Sequence, residues 1–527
     1  MKKIFNITLV IAGFALIFIS CTKDLDTVPL DKDVTTSAII FDDPGSYIEV
    51  LAKLYAGLAV SGQEGPSGNG DISGIDEGFG QYLRGWWYHQ ELPTDEAVIS
   101  WNDQTIKDFH WQTWGSSDVF IAAMYYRIFY QISACNEYIR ETSDGKLSER
   151  GVTGDLLAEV KTYRAEARFL RALSYFHAMD LFANVPFVTE ADAVGAFFPE
   201  QIQRADLFAY IESELNDIEG KLIEPRSVYA RADKATAWSL LATLYLNAEV
   251  YTGTAKYAEC VANCQKVIDA GYSLNPQYQD LFLADNNLNN NEQIFSVAFD
   301  GNATRTYGGT NFIIHAAIGG DMNPSDFGVG GGWGGTRTTS AFVNKFPDET
   351  GDIDSRAMFF TNGQNKEIVN IGEFTDGYAV TKFKNVQSNG SSGSSLDFPD
   401  TDFPYFRLAN IYLMYAEAAV HGAGDMGAAV GYVNMIRERA YGDNSGNITA
   451  GDLTLDFILD ERGRELYWEC TRRTDLVRHG KFTGGGYLWP WKGNVAEGSA
   501  TDSKYNLFPI PSSDIGANPN LDQNDGY

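Results

Sequence analysis

Positive charge is scarce in this 527-residue chain. Its 40 lysines and arginines stand against 70 aspartates and glutamates, which gives a net charge of −30 at pH 7. Because an acidic surface repels nucleic acid and anionic membrane surfaces, neither is expected as a partner. An uncharged polymer such as a glycan is compatible with this charge, and the 28 tyrosines and 10 tryptophans suggest binding surfaces as well as core.

Cysteine and histidine are also rare, with 5 and 6 residues. Neither HExxH nor GxSxG occurs, so two common hydrolase signatures are missing. Cys260 and Cys264 lie four residues apart in a helical stretch without further Cys or His nearby, so no zinc site is expected. We predict that these two cysteines, together with Cys135 and Cys470, are buried thiols.

The N-terminus carries a targeting signal. In "MKKIFNITLVIAGFALIFISC" two lysines precede a mostly apolar run that ends at Ser20 and Cys21. This predicts a secretory signal peptide over residues 1–20, and its end resembles a bacterial lipoprotein site with Cys21 as the lipidated residue. A plain signal peptide followed by a cysteine is the alternative. No later stretch reaches about 18 uninterrupted apolar residues, so no transmembrane helix is expected.

Helical periodicity dominates from Pro44 to about residue 273 and returns after residue 402. Apolar residues recur at spacings of three and four residues in "SYIEVLAKLYAGLAV", "EVKTYRAEARFLRALSYFHAMDLF" and "YFRLANIYLMYAEAAV". The pair "RADKATAWSLLATLYLNAEVY" and "KYAECVANCQKVIDAG" has the Trp, small-residue and Tyr spacing of a tetratricopeptide unit. The pattern predicts a mainly α protein built on tetratricopeptide-like helix pairs.

Residues 274–402 differ in character. "NNLNNNE", "RTYGGTNF", "GVGGGWGGTRT" and "SNGSSGSS" are rich in Gly, Asn and Ser, with short strand-like pieces such as "QIFSVAF" between them. Long irregular segments in a compact protein are usually functional. We therefore predict a loop-rich insertion that carries a binding region.

The stretch "QYLRGWWYHQELPTDEAVISWNDQ", residues 81–104, allows two interpretations. Its carboxylates could serve as acid and base, but Asp95 and Glu96 are adjacent and would point to opposite faces of an extended chain. Its aromatic rings could instead cover the C–H faces of sugars, with Arg and Asp on the hydroxyls. We favour the binding interpretation. His177 and His479 lie in helical segments, where a packing role is expected.

Several motifs in the same order resemble the SusD/RagB family of glycan-binding lipoproteins. They are "AEARFLRALSYFHAMDLFANVPFV", "FRLANIYLMYAEAAV", "ERGRELYWECTRRTDLVRHGKF" and "FPIPSSDIGANPNLDQNDGY". Shorter segments, among them "DEGFGQYLRG", "RTYGG" and "YLWPWKG", are similar to the starch-binding founder of that family. The resemblance implies a SusD-like α-α superhelix, no catalysis, and a SusC-type TonB-dependent transporter as partner.

The resemblance also implies site residues. The founder's starch-site residues fall on Asp76 in "DEGFG", Arg84 in "QYLRG", Trp101 after "PTDEA", Tyr307 in "RTYGG" and Trp333 in "GGGWGG". The three rings would form a curved platform, which suits a helical α-glucan better than a flat β-glucan, with Asp76 and Arg84 on the hydroxyls. A structural ion pair between Asp76 and Arg84 is the alternative for those two residues.

This chain departs from the founder at two positions. Ile99 stands where the founder has a further stacking Trp, and Gln104 stands where it has an Asn; we still include Gln104 among the predicted glycan-binding residues. Asn102 could supply the missing amide, and Trp86 or Trp87 the missing ring. We assign Trp86, Trp87 and the other tryptophans outside the site mostly to packing, namely Trp111, Trp114, Trp489 and Trp491.

Two further clusters have weaker signals. The Arg and Glu residues of "ERGRELYWECTRR" are expected to form a paired scaffold network. "ADNNLNNNE" and "FPDTDFP" gather hard oxygen ligands of the kind that calcium takes, and we name Asn287 and Asp400 as tentative ligands. Asp285, Asn289 and Asp402 lie beside them. Solvated loop residues are the alternative, and no cofactor is required for the predicted binding.

The sequence and the family resemblance together predict a non-catalytic cell-surface lipoprotein of the outer membrane, which captures an α-glucan and delivers it to the SusC-type transporter; binding of a different glycan is the first alternative. We divide the chain into a signal peptide (1–20), a lipidated tether (21–43), a helical scaffold with N-terminal binding loops (44–273), the loop-rich insertion (274–402) and a C-terminal helical region (403–527). A transporter lid with little glycan affinity and a glycosidase are the alternatives.

Overall fold

The structure is a computed structural model that describes residues 40–67, 70–193, 195, 197–288 and 290–527. The predicted signal peptide, Cys21 and Asn289 lie outside the described residues. The chain divides into two compact units, Met1–Glu49 and Val50–Tyr527. The sequence segments from residue 50 onwards therefore share one unit. No helix among the described residues has both the length and the apolar character that a membrane crossing needs.

Helix makes up 46% of the structure and strand 6%, so the prediction of a mainly α fold is confirmed. The helices of the first half are α1 Ser46–Ala59, α2 Tyr82–Gln90, α3 Gln104–Trp111, α4 Val119–Glu141, α5 Asp144–Glu149, α6 Gly154–Phe182, α7 Arg204–Ile218, α8 Lys234–Leu246, α9 Ala248–Thr252 and α10 Tyr257–Asp269. Those of the second half are α11 Gly309–Ala316, α12 Ser340–Val343, α13 Leu408–Val420, α14 Met426–Tyr441, α15 Leu455–Leu466, α16 Arg472–Arg478 and α17 Ser512–Ala517.

The long helices pack side by side as the repeat pattern predicts. Helix α4 packs on α6 and α6 on α7, while α8 packs on α10, α10 on α13 and α13 on α14. Asp233 begins α8 with a capping box, in which its carboxylate accepts the Thr236 N–H. Cys260, Cys264, Cys135 and Cys470 are buried free thiols, as predicted.

Short antiparallel strand pairs connect the loops of the described residues, and all but one of these pairs involve the loop-rich insertion. Their strands are β1 Val98–Ile99, β2 Val185–Pro186, β3 Gln201–Ile202, β4 Gln293–Val297, β5 Thr336–Arg337, β6 Phe359–Phe360, β7 Ala379–Val380 and β8 Phe403–Arg407. The pairs are β1 with β5, β2 with β3, β4 with β8, and β6 with β7. Strands β4 and β8 join the beginning of the insertion to its end, and β1–β5 attaches its glycine-rich run to the 81–104 stretch.

A buried ion-pair network holds the last helices against β8. Arg407 contacts Glu292, Glu465 and Glu469, and Arg356 contacts Glu461 and Glu465. Burial alone would raise the pKa of Glu465, but the guanidinium groups around it lower that pKa to about 2. The prediction that the ERGRELYWECTRR charges form a paired scaffold is confirmed.

Candidate functional site

Helix α2 and the loop before it position the first two predicted site residues. Gln81 caps α2, because its buried side chain accepts the Arg84 N–H at 2.7 Å. The same Gln81 Oε1 accepts the Gly309 N–H at 2.8 Å, which ties α2 to the beginning of α11. The Asp76 Oδ1 accepts the N–H groups of Gly78 and Phe79 at 2.8 and 3.1 Å, and this turn leads into α2.

Arg84 lies among aromatic rings. Its Nε donates to the Tyr88 hydroxyl at 2.8 Å and its Nη1 to the Tyr307 carbonyl oxygen at 2.8 Å. The guanidinium carbon lies 4.4 Å from the centre of the Phe312 ring and 5.9 Å from that of Trp101. These contacts fix the plane of the guanidinium group. The described residues contain no ion pair between Asp76 and Arg84, so the structural-pair alternative is not realised.

Three predicted rings meet at one place. The Trp101 and Trp333 rings lie 6.4 Å apart at 42°, and the Tyr307 and Trp333 rings lie 6.3 Å apart at 67°. Trp101 Nε1 donates to the Trp333 carbonyl oxygen at 3.2 Å. Tyr307 is 40% exposed, whereas Trp101 and Trp333 are half-buried. Because the ring planes are inclined to one another, the surface that they form is curved. We call Trp101, Tyr307 and Trp333 the aromatic cluster.

The glycine-rich run carries Trp333 along the end of α11. The N–H groups of Trp333, Gly334 and Gly335 donate to the carbonyl oxygens of His315, Ile318 and Ala316 at 2.7–2.8 Å. Carbonyl groups at the end of a helix have no partner within the helix, so the run satisfies them. A Cβ atom on Gly335 would lie 2.7 Å from the Trp101 ring. The run therefore has to be glycine where the indole packs on it.

Supporting residues were missed by the sequence analysis. The His315 ring stacks on Trp333 at 5.2 Å and 23°, and Phe398 lies 6.0 Å from Tyr307. Burial lowers the pKa of His315, which keeps the ring neutral against the indole. Gln81 and Phe312 are further supports. Two of these four residues, Phe312 and His315, lie in "RTYGGTNFIIHA", within eight positions after Tyr307. Their closeness to Tyr307 in sequence was the signal that could have identified them.

Other predicted residues lie elsewhere. Gln104 is exposed at the beginning of α3, where its Nε2 donates to Asp108 at 3.0 Å. Ile99 is 2% exposed in β1, so its side chain adds no surface to the cluster. The idea that Trp86 or Trp87 supplies the missing ring is wrong, since these residues are 3% and 0% exposed and Trp86 stacks on His177. The exposed Asn102 accepts a hydrogen bond from Lys107.

The carboxylates of the 81–104 stretch are inside the protein. Asp95 is 0% exposed and accepts two hydrogen bonds from Arg472 at 2.7 and 2.8 Å. Burial opposes its ionisation, but the Arg472 charge and hydrogen bonds outweigh burial and lower the Asp95 pKa to about 2. Glu91 and Glu96 are buried beside it. These groups pair within the scaffold and do not face an open cleft as an acid and a base would.

The tentative calcium ligands lie in loops, and the acidic ones accept hydrogen bonds from the protein. Asp400 accepts hydrogen bonds from the N–H of Gly301 and from Ser394, while Asn287 is exposed on a turn. Asp402 accepts the Tyr229 hydroxyl at 2.6 Å. The described residues contain no group of three or more His, Cys, Asp or Glu side chains suited to a metal ion. Calcium binding at Asn287 and Asp400 stays a prediction.

Comparisons with solved structures identify the fold class. A SusD superfamily protein from Bacteroides thetaiotaomicron matches with a TM-score of 0.71 and 20% identity over 92% of this chain and 99% of that chain. The surface glycan-binding protein A of the same organism, in complex with laminarihexaose, matches with a TM-score of 0.70 and 18% identity over 91% of this chain and 99% of that chain. A helix-pair scaffold with a loop-rich insertion is thus the SusD superfamily fold.

Sequence comparisons identify the family. A profile described as "SusD family" matches residues 355–527, and one described as "Starch-binding associating with outer membrane" matches residues 82–246. The starch-binding protein SusD of Bacteroides thetaiotaomicron is 36% identical over 100% of this chain and 99% of its own length. SusD-like protein P2 of Formosa agariphila is 26% identical over 73% of this chain and 78% of its own length. The chain belongs to the SusD family.

Proposed function

We propose that this protein is a cell-surface lipoprotein that captures starch or another α-glucan and delivers the oligosaccharide to a SusC-type TonB-dependent transporter. The observation that carries the proposal is the convergence of Trp101, Tyr307 and Trp333 with Arg84 and Asp76. These residues come from both halves of the chain and meet at one curved, partly exposed surface.

The chemistry of this surface suits a sugar. The rings offer apolar faces to the C–H faces of pyranose units. Among the described residues, Arg84 Nη2 and Asp76 Oδ2 have no hydrogen-bond partner, so a donor and an acceptor are available to sugar hydroxyls. Binding by stacking and hydrogen bonds needs no cofactor. The inclined ring planes favour a helical α-glucan over a flat chain.

The cellular part of the proposal depends on the N-terminus and on the family. The signal-like residues 1–20 and Cys21 support a lipid anchor in the outer membrane, and the SusD relationship supports a SusC-type partner. The starch-binding relative supports α-glucan as the ligand. The burial of Asp95, Glu96 and Glu91 favours binding over hydrolysis.

One observation favours a second candidate function. Ile99 is buried at the position where the founder of the family has a further stacking ring, so we expect the aromatic cluster to bind a glycan more weakly than a site with that additional ring. Loss of one stacking ring costs about 1–3 kcal/mol by analogy with bases stacked on aromatic side chains. A transporter lid with little glycan affinity of its own is therefore the alternative.

Native affinity electrophoresis tests the proposal. The form that begins after Cys21 is run through gels that contain amylopectin, pullulan, dextran, inulin or xylan. Trp101→Ala and Trp333→Ala run beside it, with Phe198→Ala as a control because Phe198 is 61% exposed and outside the cluster. We expect amylopectin and pullulan to retard the wild type and the control but not the two cluster variants.

The other outcomes also decide. Retardation by a different polymer, lost in the cluster variants, keeps the site and changes the ligand. Absence of retardation in every gel contradicts the proposed glycan capture and supports the alternative function as a transporter lid.

A further inference from the structure

A cavity of about 610 Å³ lies between the end of α6 and the beginning of α7. The segments 502–507 and 523–526 form its other walls, together with Val250 of α9. We call it the Arg204 cavity. It shares no lining residue with the aromatic cluster, and its volume is typical of pockets that hold a small-molecule ligand.

Arg204 lines this cavity without an ion pair to any described residue. Its Nη1 has one long contact, 3.5 Å, with the Val250 carbonyl oxygen, and its Nη2 has no hydrogen-bond partner in the described part of the chain. The guanidinium carbon lies 4.6 Å from the centre of the Tyr251 ring, which supports the group from one side. Nε is shielded from solvent, but Nη2 of this half-buried residue is not, so Nη2 can reach a ligand.

The carboxylate that acts on Arg204 is already shared. Asp180 accepts hydrogen bonds from Arg473 and from the Tyr251 hydroxyl, each at 2.8 Å, and from Gln90 at 2.9 Å. Two guanidinium groups therefore stand beside one carboxylate, which leaves one positive charge uncompensated. Burial has the largest effect on the pKa of Arg204 and lowers it, and the Arg473 charge lowers it further. A partly desolvated cation in this position favours an anion from solution.

Further N–H donors line the same cavity. The Nδ2 groups of Asn184 and Asn506 have no partner among the described residues, and the Lys504 ammonium donates to one backbone carbonyl oxygen at 3.2 Å. Asp502 and Asp525 are the carboxylates of the lining, and both belong to exposed residues. The half-buried part of the cavity therefore offers donors, whereas its acidic groups lie at the exposed rim.

We propose that the Arg204 cavity binds the carboxylate or phosphate group of a small molecule. The Arg204 Nη2 and the Lys504 ammonium donate to the anionic oxygens, and the amides of Asn184 and Asn506 donate to neighbouring oxygens of the ligand. Because the rim is acidic, the anionic group is one end of an otherwise neutral ligand. A cavity that holds only water is the competing explanation. The proposal does not depend on glycan binding by the aromatic cluster.

The test compares glucuronate with glucose, since the two sugars share a ring and only glucuronate has a carboxylate. Saturation-transfer NMR reports binding of both sugars, and the phosphorus NMR line width reports binding of inorganic phosphate. The proteins are wild type, Arg204→Met, Lys504→Gln, Lys53→Gln and Trp101→Ala/Trp333→Ala. Lys53→Gln is the matched control, because Lys53 is exposed, has no ion pair among the described residues and changes the net charge equally.

Thermal melts of the same proteins verify folding. Because Arg204 has no ion pair among the described residues, we expect Arg204→Met to melt no lower than wild type. Lys504→Gln serves as the cavity variant if Arg204→Met melts early.

We expect wild type to bind glucuronate, phosphate or both, and Arg204→Met to bind them about ten- to a hundredfold more weakly, the effect of one charged hydrogen bond. Binding of glucuronate alone assigns the site to carboxylates, and binding of phosphate alone assigns it to phosphoryl groups. Either result supports the anion site, provided that Lys53→Gln and the cluster variant bind as wild type does.

Three results overturn the anion site. They are absence of binding for both anions, equal binding by Arg204→Met and Lys53→Gln, and a loss of glucose binding in Arg204→Met as large as that of glucuronate. Anion binding that depends on Arg204 in a protein that no polymer retards keeps this inference and contradicts the proposed function.

Discussion

At Gly335 the chain has no side chain, and the Trp101 indole occupies the space. Gly335→Ala should place a methyl group against that ring, lower the free energy of unfolding by about 1–3 kcal/mol and weaken retardation by amylopectin. Gly331→Ala is the matched control, since a Cβ there meets no atom within 4 Å. Urea denaturation and affinity gels measure both effects. Equal behaviour of the two variants would contradict a packing role for Gly335.

Glu91 makes stability depend on pH. Burial raises its pKa to about 7, and Glu96 lies beside it. A carboxyl group whose pKa is raised on folding stabilises the protein below its unfolded pKa, near 4.5, and loses that contribution as pH rises through 7. The Glu91→Gln variant has no carboxyl group to ionise at this position. As the pH rises from the unfolded to the folded pKa, the unfolding free energy of this variant should therefore decrease by about 3 kcal/mol less than that of the wild type.

Asp95→Asn is the contrasting variant. Denaturant titrations over this pH range measure the unfolding free energy of both variants. The ionised Asp95 carboxylate pairs with buried Arg472, so its loss should destabilise the protein at neutral pH by about 3–5 kcal/mol. A Glu91→Gln protein with the pH dependence of wild type would show that Glu91 is ionised in the fold.

At the scale of elements, the buried network joins β8 to α14 and α15. Arg407→Met leaves Glu292, Glu465 and Glu469 without one of their cationic partners, and we expect a loss of about 3–5 kcal/mol in unfolding free energy. Arg140→Ala breaks the partly exposed pair with Glu137 and should cost less than about 1 kcal/mol. Similar chemical denaturation midpoints for both variants would contradict the network's role.

The long scaffold helices were predictable from sequence because apolar residues recur at helical spacing in the segments that form α1, α6 and α13, whereas the short helices α2 and α11 were not predicted. The pairing of β1 with β5 could not be predicted. A strand of two residues is too short to show an alternating apolar pattern, and the two strands lie far apart in sequence. Ile99 illustrates the limit. Its identity indicated a missing ring, but only the β1 register shows that it is buried against the scaffold. The support from Phe312 and His315 likewise depends on where α11 packs.

For the whole molecule, the charge of −30 and the proposed neutral glycan ligand predict a specific salt response. Binding by stacking and hydrogen bonds releases few counterions, so retardation by amylopectin should change less than twofold between about 0.05 and 0.5 M NaCl. Isothermal titration with maltoheptaose at both concentrations provides the solution measurement. A steep decrease with salt would indicate an electrostatic contribution that the cluster does not explain.

The hydrogen bond from Trp101 to Trp333 spans 232 residues of sequence. Contacts of such long range form late in folding, because the chain between them has to close first. A nascent or truncated chain therefore lacks the aromatic cluster, however well its early helices have formed. Formation of the cluster therefore requires that both halves of the chain have been synthesised and have docked, so an intact cluster reports that folding is complete.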